Sequence, residues 1–144
     1  MGLAAAPSTV LCSLLARRFG GVPTLIAAHL VQAVGIVLPA VSQGLASALL
    51  SAVLFGATFM GITALTLTVG AANAGPNRAR IIGLLTAAFG LGQAVGPTAA
   101  GMIAARTGSF DLALVAAAAV VTLGAAILAA GRMYAATARV QSSV

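Results

Sequence analysis

The stretch that decides the fold is GLLTAAFGLGQAVGPTAAG, which runs from Gly83 to Gly101. Its 19 residues carry no charge, and they include five glycines and an interior proline, Pro97. Glycine and interior proline both weaken a helix in water. In a bilayer, glycine lets helix backbones touch, and proline is tolerated because neighbouring helices satisfy the freed backbone groups. The stretch therefore predicts a helix of a polytopic membrane protein.

The composition of the whole chain also indicates a lipid environment. Of the 144 residues, 61% are hydrophobic and 6% are charged, whereas a typical globular domain has roughly 25% charged residues. All seven basic residues are arginines, and Asp111 is the single acid, which gives a net charge of +6. The arginines lie singly or in pairs between long apolar runs, which is a topogenic pattern. They form no basic patch, so nucleic acid is not expected as a partner.

Four segments are long enough to span a bilayer, which takes about 20 apolar residues. These segments are 22–43, 45–72, 81–105 and 110–131. A shorter apolar segment, 3–16, is interpreted as part of a spanning helix whose earlier half is missing from the chain. The sequence thus predicts an all-α, polytopic transmembrane helix bundle, in one domain over 1–144. It has four full spans and a truncated N-terminal one, followed by a cytoplasmic tail over 132–144.

The arginines predict how the bundle is oriented. Six of them follow the short first segment, link the second and third full spans, or lie in the tail: Arg17, Arg18, Arg78, Arg80, Arg132 and Arg139. Short links make neighbouring helices antiparallel, so these three regions fall on one side and only Arg106 falls on the other. Positive residues concentrate on the cytoplasmic side. We therefore expect a multi-pass protein of the cell (inner or plasma) membrane with its C-terminus in the cytoplasm.

Three polar side chains inside the predicted spans are candidates for lining a cavity or coupling transport. His29 and Gln32 are one turn apart and share a helix face, and Gln93 lies in the middle of the glycine-rich span. A polar group in hydrocarbon is costly unless it is paired or faces an aqueous cavity. Each of the three therefore either bonds to a neighbouring helix or lines a cavity. His29 alone titrates near neutral pH, which makes it the candidate carrier of a coupling proton.

A glycine–proline motif within the deciding stretch predicts helix packing or a hinge. Its residues are Gly83, Gly92, Gly96, Pro97 and Gly101. Gly92 and Gly96 form a GxxxG pair, which suits close packing on a neighbouring helix. Pro97 cannot donate to the carbonyl of Gln93, so the helix is expected to bend nearby. A static packing face and a moving hinge both stay open.

No catalytic chemistry is predicted. The sequence has no paired carboxylates, no nucleophile–base set, no phosphate-binding loop and no cluster with metal-ligand spacing. Cys12 is the only cysteine, so no disulfide forms within one chain. We expect neither an enzyme nor a cofactor or metal site.

The spacing of Gly83, Gly92, Gly96-Pro97 and Ala100-Gly101 resembles the glycine–proline pattern of the major facilitator superfamily. These proteins are secondary transporters of twelve helices in two six-helix halves. The segment LLARRFGG, 14–21, is similar to the short loop between their eighth and ninth helices, and residues 84–114 are similar to the YbfB/YjiJ-like branch. The loop lacks an acidic residue and 45–72 lacks an arginine, which favours the C-terminal half, from the end of helix eight to helix twelve.

The resemblance implies transport of a small solute or drug across the membrane, with proton coupling as one mechanism. It implies a lipid bilayer and a small-molecule substrate as partners. It also implies a need for the missing N-terminal helices or a second chain, so that the chain alone would transport nothing. Two alternatives stay open: a small homo-oligomeric four-helix membrane protein and a non-transporting membrane scaffold.

Overall fold

The chain folds into five α-helices in a computed structural model, which describes the backbone of residues 2–42 and 44–141 and the side chains of 9–42 and 44–132. The helices are α1 (Gly2–Phe19), α2 (Gly21–Val41), α3 (Leu45–Asn73), α4 (Arg78–Thr107) and α5 (Asp111–Gln141), with a 3₁₀ turn at Gly75–Asn77. Four of them, α2 to α5, contain stretches long and apolar enough to cross a membrane. The prediction of an all-α membrane helix bundle is confirmed.

Glycines in the left-handed region make the shortest links. Gly20, with φ of 94°, alone separates α1 from α2, and Gly108, with φ of 72°, ends α4. Only glycine adopts this conformation without steric cost. After Gly108 the chain turns into α5, where the Ser109 hydroxyl accepts a hydrogen bond of 3.0 Å from the Asp111 amide. Both of these links take only a few residues, as the sequence predicted.

The centre of the bundle is α2, which packs against α3 and α5, while α1 packs mainly on α3. The buried core joins these four helices through a cluster of apolar side chains. Its members are Cys12, Leu25 and Leu65, with Ala16, Ile62, Val69 and Leu128 packed around them. The core therefore holds α1, α2, α3 and α5 together and leaves α4 outside.

The helices α2 and α3 meet backbone to backbone at Gly35. A Cβ atom at this position would lie 3.0 Å from the Leu54 Cβ and 3.6 Å from the Phe55 amide nitrogen. The Ser51 hydroxyl donates a hydrogen bond of 2.6 Å across the same interface to the Gly35 carbonyl. Small residues and interhelical hydrogen bonds are what hold helices together in lipid, where burial of apolar surface gives no driving force.

The glycine-rich helix α4 is peripheral. None of its residues is buried among the described side chains, and its contacts are with α3 and α5. A Cβ atom added at Gly83, Gly92, Gly96 or Gly101 would meet nothing within 4 Å. The helix continues through Pro97 without a break. The described part of the chain thus leaves the glycine–proline motif uncovered, and its packing or hinge role stays a prediction.

The arginine-bearing ends of the helices lie together. Arg17, at the end of α1, and Asn73, at the end of α3, line one cavity, which places the α3–α4 link beside the α1–α2 link. α5 continues to Gln141, so most of the predicted tail is helical, and within the described residues Asp111–Arg132 is long and apolar enough to cross a membrane. The side chain of Arg139 lies outside the described residues.

Candidate functional site

A cavity of about 390 Å³ between α2, α3, α4 and α5 brings together two of the three polar residues singled out from the sequence. Its lining is His29, Gln32, Phe59, Ile62, Thr63, Thr66, Leu67, Leu85, Thr86, Phe89 and Val121. At 1.5 Å per residue, α2 is about 31 Å long and Gln32 lies about 16 Å from its start. The cavity is therefore at the centre of the span.

The imidazole of His29 is held in one tautomer by its own helix. Its Nδ1 lies 2.8 Å from the Leu25 carbonyl oxygen, and a carbonyl only accepts, so Nδ1 carries the proton. In the neutral ring Nε2 is then left with a lone pair. A Cβ atom at Gly124 of α5 would lie 3.8 Å from Nε2, so the absence of a side chain there leaves room beside this nitrogen. His29 can accept a proton or a hydrogen bond at Nε2.

The amide of Gln32 is available for a ligand. The residue is only 7% exposed, and its amide makes no hydrogen bond to the part of the chain whose side chains are described. No fully buried side-chain polar atom lacks a partner there, so the amide atoms are in contact with the cavity space. Polar groups buried in proteins are nearly always hydrogen bonded. An amide that lines a cavity without a protein partner is therefore expected to bind water or a solute there.

Gln93 lies beside this cavity and not in it. It lines an adjoining groove of about 580 Å³, together with Phe55, Phe59, Phe89, Gly92 and Pro97. Two of the phenylalanines, Phe59 and Phe89, line both spaces. The groove opens on the uncovered face of α4. The structure thus brings His29 and Gln32 into one cavity and places Gln93 in its neighbour.

The phenylalanines form the wall between the two spaces. The ring centroids of Phe55 and Phe59 are 5.3 Å apart, and those of Phe59 and Phe89 are 5.6 Å apart. Stacked and tilted rings at this separation attract each other beyond their apolar contact. Sequence reasoning missed them, although three of the five phenylalanines in the chain are involved. The i, i+4 spacing of Phe55 and Phe59 was the available signal.

Threonines also line the cavity, and the sequence analysis did not single them out. The Thr63 hydroxyl donates a hydrogen bond to the Phe59 carbonyl, and the Thr86 hydroxyl donates one to the Ile82 carbonyl. Each bond is 2.9 Å long. Their hydroxyl protons are therefore engaged by their own helices, and only their oxygen lone pairs face outward. Among the described residues, the cavity lining contains no arginine, aspartate or glutamate, and His29 is its one side chain that can carry a positive charge.

A family model described as "Uncharacterised MFS-type transporter YbfB" matches residues 1–129 of the chain. The match covers nearly all of the described helices. The chain belongs to this YbfB-like family of the major facilitator superfamily. No curated protein and no solved structure matches the chain significantly. The resemblance inferred from residues 84–114 is confirmed, and with it the class of a multi-pass membrane transporter.

Membership of the YbfB-like family relates the depth of the cavity to the place where secondary transporters bind substrate. Secondary transporters bind their substrates near the bilayer midplane, where helices from different repeats meet. The cavity around His29 and Gln32 is at that depth in this YbfB-like chain, and so is Gln93, about 22 Å along α4. No group of three or more potential metal-ligating side chains is found among the described residues.

Proposed function

We propose that this chain forms one wall of the substrate path of a secondary active transporter for a small solute or drug. The observation that carries the proposal is the cavity at the centre of α2, where the His29 Nε2 and the Gln32 amide have no hydrogen-bond partner among the described residues. Uncommitted polar groups at mid-membrane mark solute or ion pathways. Phe59 and Phe89 add aromatic surface for the apolar part of the solute.

We further propose that transport is coupled to protons through His29. Protonation turns Nε2 from a hydrogen-bond acceptor into a donor, so a solute bound to the neutral ring loses that interaction when the proton arrives. The Leu25 carbonyl accepts from Nδ1 in both protonation states. The ring therefore stays in position while Nε2, the atom that faces the cavity, changes from a hydrogen-bond acceptor to a donor. An exchange of solute for proton requires such a change.

The uncovered face of α4 supports the further proposal that other helices complete the site. In the described part of the chain, the walls of the groove beside Gln93 come from α3 and α4. Helices supplied by missing N-terminal segments or by a second chain would close it, and the isolated chain would transport nothing. We assign the arginine-bearing ends to the cytoplasm, because positive residues concentrate there.

A cysteine-accessibility experiment tests whether the cavity is open to water. In a Cys12→Ser background, Gln32→Cys places a thiol in the cavity, and Leu30→Cys places one at almost the same depth. Leu30 is 48% exposed on the outer surface of α2, where it faces lipid. A water-soluble maleimide is expected to label Gln32→Cys at least tenfold faster, because a thiolate forms in water and not in hydrocarbon.

Transport itself is tested in inside-out vesicles from the native cells, which also supply the further helices that the proposal requires, with a panel of fluorescent dyes and an imposed proton gradient. His29→Gln is expected to abolish gradient-driven uptake, and Thr98→Val is the control. Thr98 is an exposed polar residue of α4 that donates to its own helix and lines neither space. Equal labelling at positions 30 and 32, or uptake unchanged in His29→Gln, contradicts the proposal. Uptake by the purified chain alone in liposomes contradicts the need for further helices.

A further inference from the structure

A second cavity, on the opposite side of α2, is almost wholly apolar. It has a volume of about 560 Å³ and lies between α1, α2 and α3. Its lining, called here the apolar groove, is Leu11, Cys12, Leu15, Phe19, Pro23, Thr24, Ala27, Ala28, Val31, Leu54, Ala57 and Thr58. Leu11, Phe19 and Val31 on its walls are 58%, 61% and 43% exposed. The apolar groove is therefore open to the lipid environment around the helix bundle.

The groove offers an occupant no hydrogen bonds of consequence. The Thr24 hydroxyl donates a hydrogen bond to the Gly20 carbonyl, and the Thr58 hydroxyl donates one to the Leu54 carbonyl. Each bond is 2.8 Å long. Cys12 packs in the core against Leu25 and Leu65. Because the polar atoms are satisfied within the protein, the occupant that fits is a hydrocarbon.

The length of the groove matches one leaflet of a bilayer. Along α2 it extends from Pro23, near the arginine-bearing end, to Val31, which is about 12 Å by the helical rise. One leaflet of a hydrocarbon core of about 30 Å is about 15 Å thick. The groove thus runs from the membrane surface almost to the midplane and stops there, as a lipid chain does.

The positively charged side chain of Arg18 lies at the end of the apolar groove that is nearer the membrane surface. The guanidinium carbon of Arg18 lies 5.6 Å from the centroid of the Phe19 ring, which is part of the groove wall. Arg17 is adjacent and turns to the other side of α1, where it lines the cavity shared with Asn73. Both arginines are exposed. Neither has an ion-pair partner among the side chains that the structure describes.

We propose that the apolar groove is a binding site for an anionic phospholipid. One acyl chain lies along the groove, and the phosphate is bound by Arg18, with Arg17 contributing to the positive potential. Guanidinium groups pair with phosphate through short charge-assisted hydrogen bonds, and basic residues beside membrane helices recognise anionic headgroups. A helix of another protein would fill the same groove but leave the arginine without a counter-charge, so charge complementarity favours the lipid.

The test uses the chain in detergent micelles and phosphatidylglycerol with a photoactivatable diazirine at the end of one acyl chain. After illumination, mass spectrometry is expected to find the label on groove residues of α1, α2 and α3. Unlabelled phosphatidylglycerol should compete at least fivefold better than phosphatidylcholine. Arg18→Gln should weaken binding about fivefold, since one basic residue near the surface contributes about 1 kcal/mol. The matched control is Arg106→Gln, an exposed arginine at the far end of α4.

A second variant tests the groove separately from the charge. Ala27 is exposed and lines the groove, so Ala27→Phe fills it without disturbing the core and should abolish labelling there. Ala119→Phe is the control, on an exposed face of α5 outside the groove. Three results overturn the proposal: label spread evenly over α4 and α5, equal competition by phosphatidylcholine, or a Leu15→Cys variant that cross-links to another polypeptide through the groove.

Discussion

At the scale of single residues, the contact between Ser51 and Gly35 is the one hydrogen bond among the described side chains that joins α3 to α2. Ser51→Ala removes the donor and leaves the Gly35 carbonyl without a helical partner, because the residue four positions on is Pro39, which has no N–H. Interhelical hydrogen bonds in membrane proteins contribute about 0.6 kcal/mol on average. We expect Ser51→Ala to destabilise the fold by more than this average, by about 1–3 kcal/mol, because the buried Gly35 carbonyl is left without a donor. The control is Thr68→Val, which removes a hydroxyl that bonds only to its own helix.

The stability of the Ser51→Ala variant is measured through the reactivity of the buried cysteine, Cys12. Cys12 is 9% exposed within the core, so its reaction with a maleimide reports opening of the α1–α2–α3 packing. The chain has no tryptophan to serve as a fluorescent reporter. Labelling at increasing mole fractions of dodecyl sulfate should reach its midpoint earlier for Ser51→Ala than for Thr68→Val. Coincident curves contradict a role for Ser51 in helix association.

Two glycines with different surroundings give a sharper contrast. At Gly35 an added Cβ would lie 3.0 Å from the Leu54 Cβ, which sits on the backbone of α3 and has little room to move. Gly35→Ala is expected to cost about 1–3 kcal/mol through overpacking. At Gly96 an added Cβ meets nothing within 4 Å, and alanine is the better helix former. Gly96→Ala should therefore leave stability within about 0.5 kcal/mol.

The same Cys12 labelling curve distinguishes the two glycine variants. Gly35→Ala should shift the midpoint to lower dodecyl sulfate, and Gly96→Ala should leave it in place. Two equal shifts would mean that α4 packs in the isolated chain, against the openness of its glycines. No shift for Gly35→Ala would mean that α2 and α3 are free to move apart.

At the scale of helices, composition predicted where the spans lie, but it did not predict which faces meet. The positions of α2 to α5 follow from the apolar segments, because a helix in lipid must satisfy its backbone internally, although α5 continues beyond its predicted span to Gln141. In water, an apolar stripe would also show which face is buried. Here lipid-facing residues such as Val34 and Leu123 are as apolar as the core residue Leu25. The central position of α2 therefore had no signature in the sequence.

The candidate site was predictable only in part for the same reason. His29, Gln32 and Gln93 stood out because polar residues are rare in these spans. Their division between two spaces depends on helix rotation, which the apolar pattern does not fix. The phenylalanine wall of Phe55, Phe59 and Phe89 was missed, because aromatic residues are ordinary in a membrane helix and the i, i+4 spacing of Phe55 and Phe59 was a weak signal.

The open face of α4 leads to a prediction about association. Leu91 is 66% exposed on this helix, and a photo-crosslinking amino acid placed there should form an adduct with a protein in native membranes. Gly96→Leu should lower the adduct yield at least fivefold, because small residues let helices approach closely. The same crosslinker at Val120, an exposed residue of α5, is the control for contact with lipid. A yield unaffected by Gly96→Leu argues against packing through the GxxxG pair.

At the scale of the whole molecule, the arrangement of arginines predicts sidedness. Arg17 and Asn73 line one cavity, so the first arginine pair and the link that leads to Arg78 and Arg80 are at the same end of the bundle. Basic residues in short loops are retained in the cytoplasm. The opposite end carries Arg106 and, next along the chain, the single acid, Asp111. The imbalance favours one orientation across the whole bundle.

The orientation is tested with one cysteine at each end, in a Cys12→Ser background. Ser42→Cys, in the link after α2, is isosteric with the native residue, and Asn77→Cys lies just before α4; both positions are exposed. A membrane-impermeant maleimide added to intact cells should label Ser42→Cys and reach Asn77→Cys only after permeabilisation. Replacing Arg78 and Arg80 with glutamine should raise labelling of Asn77→Cys in intact cells, since it removes two of the retained charges. The reverse labelling pattern would place the arginine-bearing end outside the cell and would contradict the proposed orientation. Labelling at both positions would instead indicate two orientations in the membrane, which the concentration of arginine at one end argues against.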